Sequence, residues 1–302
     1  AQLNSQANQL MTEHWIGNQA ALVIDHDTRG PLVWIGSKNY WDSQIHGQVD
    51  MLQARRQTGS TIKPFVYAAA IDAGYQPPTI FYDSVTWFRG DRFRLGNSDG
   101  HFLGGIRMKQ ALAYSRNIPA AKALLLAGGE KTVKQYLDDR FGFDIMQRFA
   151  HHPFGWTLAL GTAPLKLADL GNAYATLGSN EKRELCPIMS ITNFEGKKIS
   201  HPCQVKITRK TNKTTNYFIS EMLADESARP AHWNKILKTA QPMAIKTGTS
   251  SKRVNGQVMP VDDLVVGYTP NATVMLWAGN TNGGALKPGS VAIFSIGELG
   301  EI

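Results

Sequence analysis

Cysteine is almost missing from this chain: its 302 residues include two, Cys186 and Cys203. Two cysteines cannot build a disulfide scaffold, and their spacing does not fit a zinc site. Long apolar runs are lacking too. The longest, around 120–127 and 66–71, fall well short of the roughly 20 residues that a membrane-spanning helix requires. The chain as given is therefore expected to be soluble. It starts at Ala1 with neither a basic segment nor a following apolar one, so no signal peptide is expected, and it reads as a processed or excised piece of something longer. Neither a P-loop nor a Gly-x-Gly-x-x-Gly in a strand-to-helix setting occurs, which leaves a nucleotide site unsupported. His151-His152-Pro153 has no carboxylate or third ligand at the i+4 spacing of a helix face, so no metal and no cofactor is expected.

Acidic residues are the scarcer charge, 24 Asp and Glu against 32 Lys and Arg, for a formal charge of +8. The basic residues are spread out, with modest clusters at 89–94, 206–213 and 252–253 and no interleaved aromatic ladder. That pattern disfavours nucleic acid and fits a solvated basic face or a carboxylate-bearing polymer. What is present is a globular composition, 42% hydrophobic and 19% charged, long enough to bury a sizeable core.

Alternation predicts strands at 20–25 and 31–35, and again at 242–247, 263–269 and 272–278, with a loop over 248–260. Helical spacing appears at 60–74, 105–114, 119–127, 131–141, 165–177 and 216–223, and 76–105 reads as a long connection. Residues 1–16 form a polar, helix-like lead. Strands at both ends with helices between them imply one sheet built from the two ends of the chain, carrying a helical insert. Strands at 187–192 and 198–204 around Asn193-Phe194-Glu195-Gly196 predict a hairpin that sets Cys186 nearly opposite Cys203. That placement suits a disulfide in an oxidising compartment; the alternative is two unrelated thiols.

Four patterns could carry chemistry. Gly96-Asn97-Ser98-Asp99-Gly100 matches the Gly-x-Ser-x-Gly elbow, but it lacks the buried strand before and the helix after that the elbow needs. Ser-x-x-Lys occurs twice. Ser179-Asn180-Glu181-Lys182 lies in a polar stretch and opens nothing, whereas Ser60-Thr61-Ile62-Lys63 precedes Pro64, which a helix tolerates only in its first turn. Ser60 therefore sits at a helix N-terminus, where free N–H groups suit a developing oxyanion, and Lys63 shares its face. The plainer reading is an N-cap serine and a solvent-facing lysine. Lys246-Thr247-Gly248-Thr249-Ser250 ends an apolar strand with a cation, hydroxyls and a glycine, which suits a peptide carboxylate held at a strand edge. Between these lies Ser115-Arg116-Asn117, a Ser-x-Asn that Ser37-Lys38-Asn39 also matches.

In this order the three motifs resemble the transpeptidase domain of class A, bifunctional penicillin-binding proteins, in the superfamily of serine DD-peptidases and β-lactamases. The likeness extends to Ala54-Arg55-Arg56-Gln57-Thr58-Gly59 before Ser60, to Asn97-Ser98-Asp99-Gly100, to Leu158-Ala159-Leu160-Gly161, and to Val266-Gly267-Tyr268-Thr269-Pro270. It implies an α+β fold in which a five-stranded antiparallel sheet carries helices on both faces and an inserted helical subdomain, with 17–302 as the penicillin-binding transpeptidase domain. It implies Ser60 as the acylated nucleophile, Lys63 as its proton acceptor, Ser115 as the relay to the leaving group and Asn117 as the holder of the substrate amide. Lys246, Thr247, Gly248 and Thr249 would form the carboxylate site, and the backbone N–H groups of Ser60 and Thr249 the oxyanion hole.

The reaction implied is cleavage of the D-Ala-D-Ala bond of peptidoglycan stem peptides on lipid II-derived strands and transfer of the acyl group to an amine, with β-lactams as covalent inhibitors. A serine β-lactamase, a DD-carboxypeptidase and a non-catalytic β-lactam-sensing or peptidoglycan-binding domain are the alternatives. The family also implies a glycosyltransferase domain, a membrane anchor N-terminal to this chain, and a position on the periplasmic face of the cytoplasmic membrane. The segment 248–262 departs from the family as a longer, more basic loop.

Overall fold

The computed structural model describes residues 7–88, 95–188, 190–199 and 209–288. Its centre is a five-stranded antiparallel sheet of β1 (Asn18–Asp25), β2 (Pro31–Ile35), β3 (Ala244–Val254), β4 (Gln257–Tyr268) and β5 (Ala272–Gly279), in the spatial order β3-β4-β5-β1-β2. The chain ends meet as expected: β1 pairs with β5, Asn18 opposite Gly279 and Asp25 opposite Ala272. Around the sheet lie α1 (Ala7–His14), α2 (Lys63–Asp72), α3 (Met108–Ala113), α4 (Asn117–Leu126), α5 (Gly129–Phe141), α6 (Leu167–Ser179), α7 (Lys213–Ala224) and α8 (Ala231–Ile236).

Side chains alternate between the faces of a strand, so each inner strand feeds two cores. Leu264, Val266, Met275 and Trp277 join the larger core with α2, α4, α5, α6 and α7. Val265, Leu276 and Ala278 enter a smaller one, closed by Leu10 of α1 and by Trp233 and Leu237 at α8. Helices thus cover both faces, the expected α+β architecture. Helix α2 is apolar all round, and every residue from Lys63 to Ile71 is buried. Phe65 anchors it, edge-on to Phe141, Phe143 and Tyr174 with ring centroids 4.7, 5.1 and 4.9 Å away.

Several local expectations need correction. The segment 248–260 is not a loop: β3 runs on to Val254 and β4 begins at Gln257, joined at Asn255-Gly256. Asn255 and Gly256 have φ of +50° and +82°, the pair of positive values that a two-residue hairpin turn demands and that Asn-Gly supplies. Ser251, Lys252 and Arg253 are all exposed in succession, so the tip of the hairpin shows no alternation. The connection at 76–105 contains a two-stranded ribbon, Ile80–Asp83 with Gly104–Arg107, so the helix expected from 105 begins only at Met108. Similarly, Pro164–Lys166 pairs with Arg55–Gln57 before α6 starts. The cysteine hairpin pairs at Ile191–Thr192 and Lys198–Ile199 around the expected turn. Cys186 is buried, with its Sγ 3.4 Å from the carbonyl of Ile188, and Cys203 lies outside the described residues, as does the strand expected beyond 199.

Phe65→Ala is expected to lower the unfolding free energy by about 3–5 kcal/mol, because it opens a cavity beneath α2. Urea unfolding of both proteins measures the difference; a loss below about 1 kcal/mol would show that this aromatic cluster is not a fixed core.

Candidate active site

Ser60 lies in a single 3₁₀ turn, Gly59–Ile62, that leads directly into α2, with Pro64 in the first turn of the helix. Three glycines wedge this turn into the sheet. Gly59 has φ +53°, and a Cβ there would stand 2.4 Å from the carbonyl oxygen of Thr249. A Cβ on Gly248 would stand 2.7 Å from the nitrogen of Thr61, and one on Gly161 would stand 2.2 Å from the carbonyl oxygen of Gly59. Only side chains reduced to hydrogen permit such contacts. The serine turn is thereby pressed between residue 161 and strand β3, further tied by the Thr58 N–H donating to the Gly161 carbonyl (3.1 Å) and by the Tyr174 hydroxyl donating to the Thr61 carbonyl (2.7 Å).

Lys63 does not face solvent. Its amine is fully buried and donates to the carbonyl of Ser115, to Asn117 Oδ1 at 2.8 Å and, more weakly, to Ser115 Oγ at 3.3 Å. Lys246, also buried, donates to the same Ser115 Oγ at 2.8 Å and to the Thr247 carbonyl at 2.9 Å. One hydroxyl thus stands between two amines. Ser115 reaches this place from the α3–α4 junction in a left-handed conformation, φ +54°, unusual for a serine. Burial pushes the Lys63 amine well below the ordinary lysine value, with the charges of Lys246 and then Arg116 adding to it and Asp83 opposing. Burial, then the charge of Arg229, lowers Lys246 to about 7. A neutral Lys63 can accept a proton, which an exposed ammonium cannot.

Much of what holds this arrangement is not apparent from the motifs. Arg116, between Ser115 and Asn117, turns inward: its Nε donates to Asp83 Oδ2 at 2.7 Å and its Nη1 to Asp99 Oδ2 at 2.6 Å. Asp83 is fully buried and also accepts from Asn97 Nδ2 at 2.8 Å and from the Leu103 N–H at 3.1 Å. Asn97 in turn accepts the Asn117 N–H at 2.8 Å, while Asn117 Nδ2 donates to the Gly96 carbonyl at 3.0 Å. The false nucleophile elbow at 96–100 is therefore the brace of the Ser-x-Asn segment. On the sheet side, Thr249 Oγ1 donates to Asp263 Oδ1 at 2.8 Å, and Ser250 Oγ and Trp277 Nε1 donate to Asp262 at 2.6 and 2.9 Å.

These elements surround a cavity of about 750 Å³ whose lining includes Ser60, Asn97, Ser115, Asn117, Lys246 and Thr249. Thr247 and Gly248 line it as well, so every sequence-derived site residue except the fully buried Lys63 opens onto one cleft. The second Ser-x-x-Lys and the histidine pair go elsewhere. Ser179 Oγ donates to the Ala175 carbonyl and accepts from Arg29, a structural role, and His151 and His152 are exposed. Among the described residues no three His, Cys, Asp or Glu converge as a metal site would require, and no helix is long and apolar enough to cross a membrane.

Ser60, at the start of a helix, lines one cleft with Ser115 and the buried Lys246, a setting that fits a serine acyltransferase or peptidase. Residues 19–292 match the family model described as the penicillin binding protein transpeptidase domain, and the chain belongs to that family. Penicillin-binding protein 1C of Escherichia coli is 29% identical over 280 residues, covering 90% of this chain and 33% of that protein. Penicillin-binding protein 2D of Bacillus subtilis is 30% identical over 268 residues, covering 85% of this chain and 36% of that protein. The chain thus spans about a third of the length of these relatives. Among solved structures, PonA1 of Mycobacterium tuberculosis superposes with a TM-score of 0.77 at 22% identity, covering 97% of this chain and 77% of that one. Penicillin-binding protein 1A of Haemophilus influenzae gives 0.76 at 20% identity, covering 91% and 45%. A PonA1 structure in complex with penicillin V aligns equally, with a TM-score of 0.76 at 21% identity over 97% and 79% of the two chains.

The depressed Lys246 sets a pH dependence of stability. Its amine holds a proton up to about pH 7 in the folded protein and up to an ordinary lysine value near 10.5 when unfolded. Between these values the unfolded state binds more protons, so stability rises with pH through this window. Relative to Lys246→Met, the folded wild type is expected to gain up to about 1.4 kcal/mol per pH unit above pH 7.5. Urea unfolding of the two proteins at pH 7.5, 8.5 and 9.5 measures this; parallel curves would contradict it.

Proposed function

We propose that this domain is a peptidoglycan DD-transpeptidase working through an acyl-enzyme on Ser60. Neutral Lys63 takes the Ser60 proton as the oxygen attacks the carbonyl of the D-Ala-D-Ala bond. The backbone N–H groups of Ser60 and Thr249 receive the oxyanion, Ser115 passes a proton to the departing D-Ala amine, and Asn117 holds the substrate amide. Lys246, Thr247 and Thr249 form the carboxylate end of the site. An amine of a neighbouring stem peptide on a lipid II-derived strand then takes the acyl group. Two easier steps replace one slow displacement.

The observation that carries this reading is the Ser115 hydroxyl held between the buried amines of Lys63 and Lys246, an arrangement built to move a proton. β-Lactams, which acylate the same serine, are the expected covalent inhibitors, consistent with the penicillin V complex of PonA1. A β-lactamase needs a base that activates water for fast deacylation, and no described residue lining the cavity is Asp or Glu. A DD-carboxypeptidase differs only in its acceptor, water. In the longer protein we place residues 1–16 as a lead from an N-terminal membrane anchor and glycosyltransferase domain, and residues 17–302 as the transpeptidase domain on the periplasmic face of the cytoplasmic membrane.

Incubation with a penicillin, followed by intact mass, tests the reading. The expected result is one adduct that persists for many minutes, maps to Ser60 and is absent in Ser60→Ala, which also loses release of D-Ala from a stem peptide. Rapid turnover of the adduct, or retained peptide release in Ser60→Ala, would overturn it.

A further inference from the structure

The chain between β2 and the serine turn folds into a compact loop that the acylation chemistry does not use. Its ends meet where the Met51 N–H donates to the Gly36 carbonyl at 2.8 Å, so 36–51 closes on itself as an Ω-loop does. Within it, Asp42 caps the short turn Ser43–Ile45 by accepting from the Gln44 N–H at 2.9 Å, and the Gly47 N–H donates to the Asp42 carbonyl at 2.9 Å. Gly47 packs so tightly against the start of the loop that a Cβ there would overlap the Asn39 carbonyl oxygen. Ile45 is buried beneath and pins the loop to the domain.

This firmly built loop presents two aromatic rings to solvent. Trp41 is 83% exposed and Tyr40 56%, the two standing edge to face with centroids 4.9 Å apart. Such rings normally bury most of their area, and a fixed loop that holds them outward forgoes that gain. Exposed apolar surface of this kind marks a place of contact. The rings border a cavity of about 300 Å³ whose wall also carries Asp42, Ser43, His46 and Gln48. The Tyr40 hydroxyl, the Trp41 indole N–H and the side chains of Ser43, His46 and Gln48 make no hydrogen bond among the described residues. Polar groups left uncommitted beside an open ring are groups that await a ligand.

The combination selects the ligand. A pyranose has an apolar face of C–H groups and a rim of hydroxyls, so it needs a flat ring to lie on and free donors and acceptors around it. A lipid surface or a nucleic-acid strand would call for Lys or Arg beside the aromatics, and no described Lys or Arg lines this cavity. An acetamido group offers one carbonyl and one N–H, which the Gln48 amide and the Asp42 carboxylate complement. The cavity shares no lining residue with the acylation cleft, so a sugar here and a peptide there do not compete for the same groups.

We propose that the loop 36–51 is a saccharide-binding site in which Trp41 stacks on a neutral, N-acetylated hexosamine of a glycan strand, with Asp42 and Gln48 holding its polar rim. The choice of that sugar rests on the transpeptidase reading, because the glycan then belongs to the same polymer whose peptides enter the cleft.

Titration of the isotope-labelled chain with a β-linked N-acetylglucosamine tetramer, followed by the Trp41 indole resonance in NMR spectra, tests the proposal; Trp41→Ala assigns the peak. The expected result is a saturable shift that persists after penicillin has acylated Ser60, with weaker binding of cellotetraose, which lacks the acetamido groups. By calorimetry, Trp41→Ala is expected to weaken binding about tenfold and Gln48→Ala about threefold, and neither to change the rate of penicillin acylation. Both side chains are exposed, so neither variant removes core packing. Absence of a Trp41 shift, equal binding of cellotetraose, full affinity in Trp41→Ala, or loss of binding on acylation overturns the proposal. A shift produced by anionic lipid vesicles and not by the tetramer overturns it in favour of a membrane surface. A penicillin adduct on Ser60 without saccharide binding overturns this proposal alone, whereas saccharide binding without an adduct upholds the site and overturns the transpeptidase reading.

Discussion

The site is organised around the burial of one amine. Lys63 opens α2, a helix whose length is given to the core, so its side chain has nowhere to go but inward. A charged ammonium there would be expensive, and the surroundings raise that cost by placing Lys246 on the other side of the Ser115 hydroxyl and Arg116 close by. Hydrogen bonds to Ser115 and Asn117 hold the amine in place. The same packing that stabilises the helix thus lowers the proton affinity of its first residue, at a cost in stability at neutral pH.

Everything else serves to bring partners to that amine from distant parts of the chain. The serine turn meets β3 through the contacts of Gly59, Gly161 and Gly248, which come from three separate segments. Ser115 is thrust forward by its left-handed backbone, and the Arg116–Asp83–Asn97 network supplies the restraint that this conformation requires. Because Asp83 is buried, Arg116 is needed as its counter-charge; because Arg116 turns inward, the residues on either side of it turn toward the cleft. A motif of three residues is in this sense one face of a larger polar cluster.

The three motifs, the sheet made from both chain ends and the helical insert were legible in the sequence, because apolar periodicity and the position of Pro64 report local structure directly. The support was not. Asp83 and Asn97 lie in a stretch that reads as loop, and no periodicity marks a residue whose task is to hold another through a hydrogen bond. The hairpin beyond Gly248 reads as loop because its tip is exposed on both faces, Ser251, Lys252 and Arg253 on one strand and Gln257 and Val258 on the other, although Asn255-Gly256 carries the turn signal. Arg229 showed nothing at all: an isolated arginine beside a proline looks like surface until its burial is seen.

The central claim is that the buried Lys63 amine binds its proton far more weakly than an ordinary lysine. A direct test is NMR titration of the Lys63 side chain, with its ε-carbon resonance assigned by comparison with Lys63→Met. The expected result is a transition well below the ordinary lysine value of about 10.4. A shift characteristic of an ammonium at pH 7.5, with titration near 10, would contradict it.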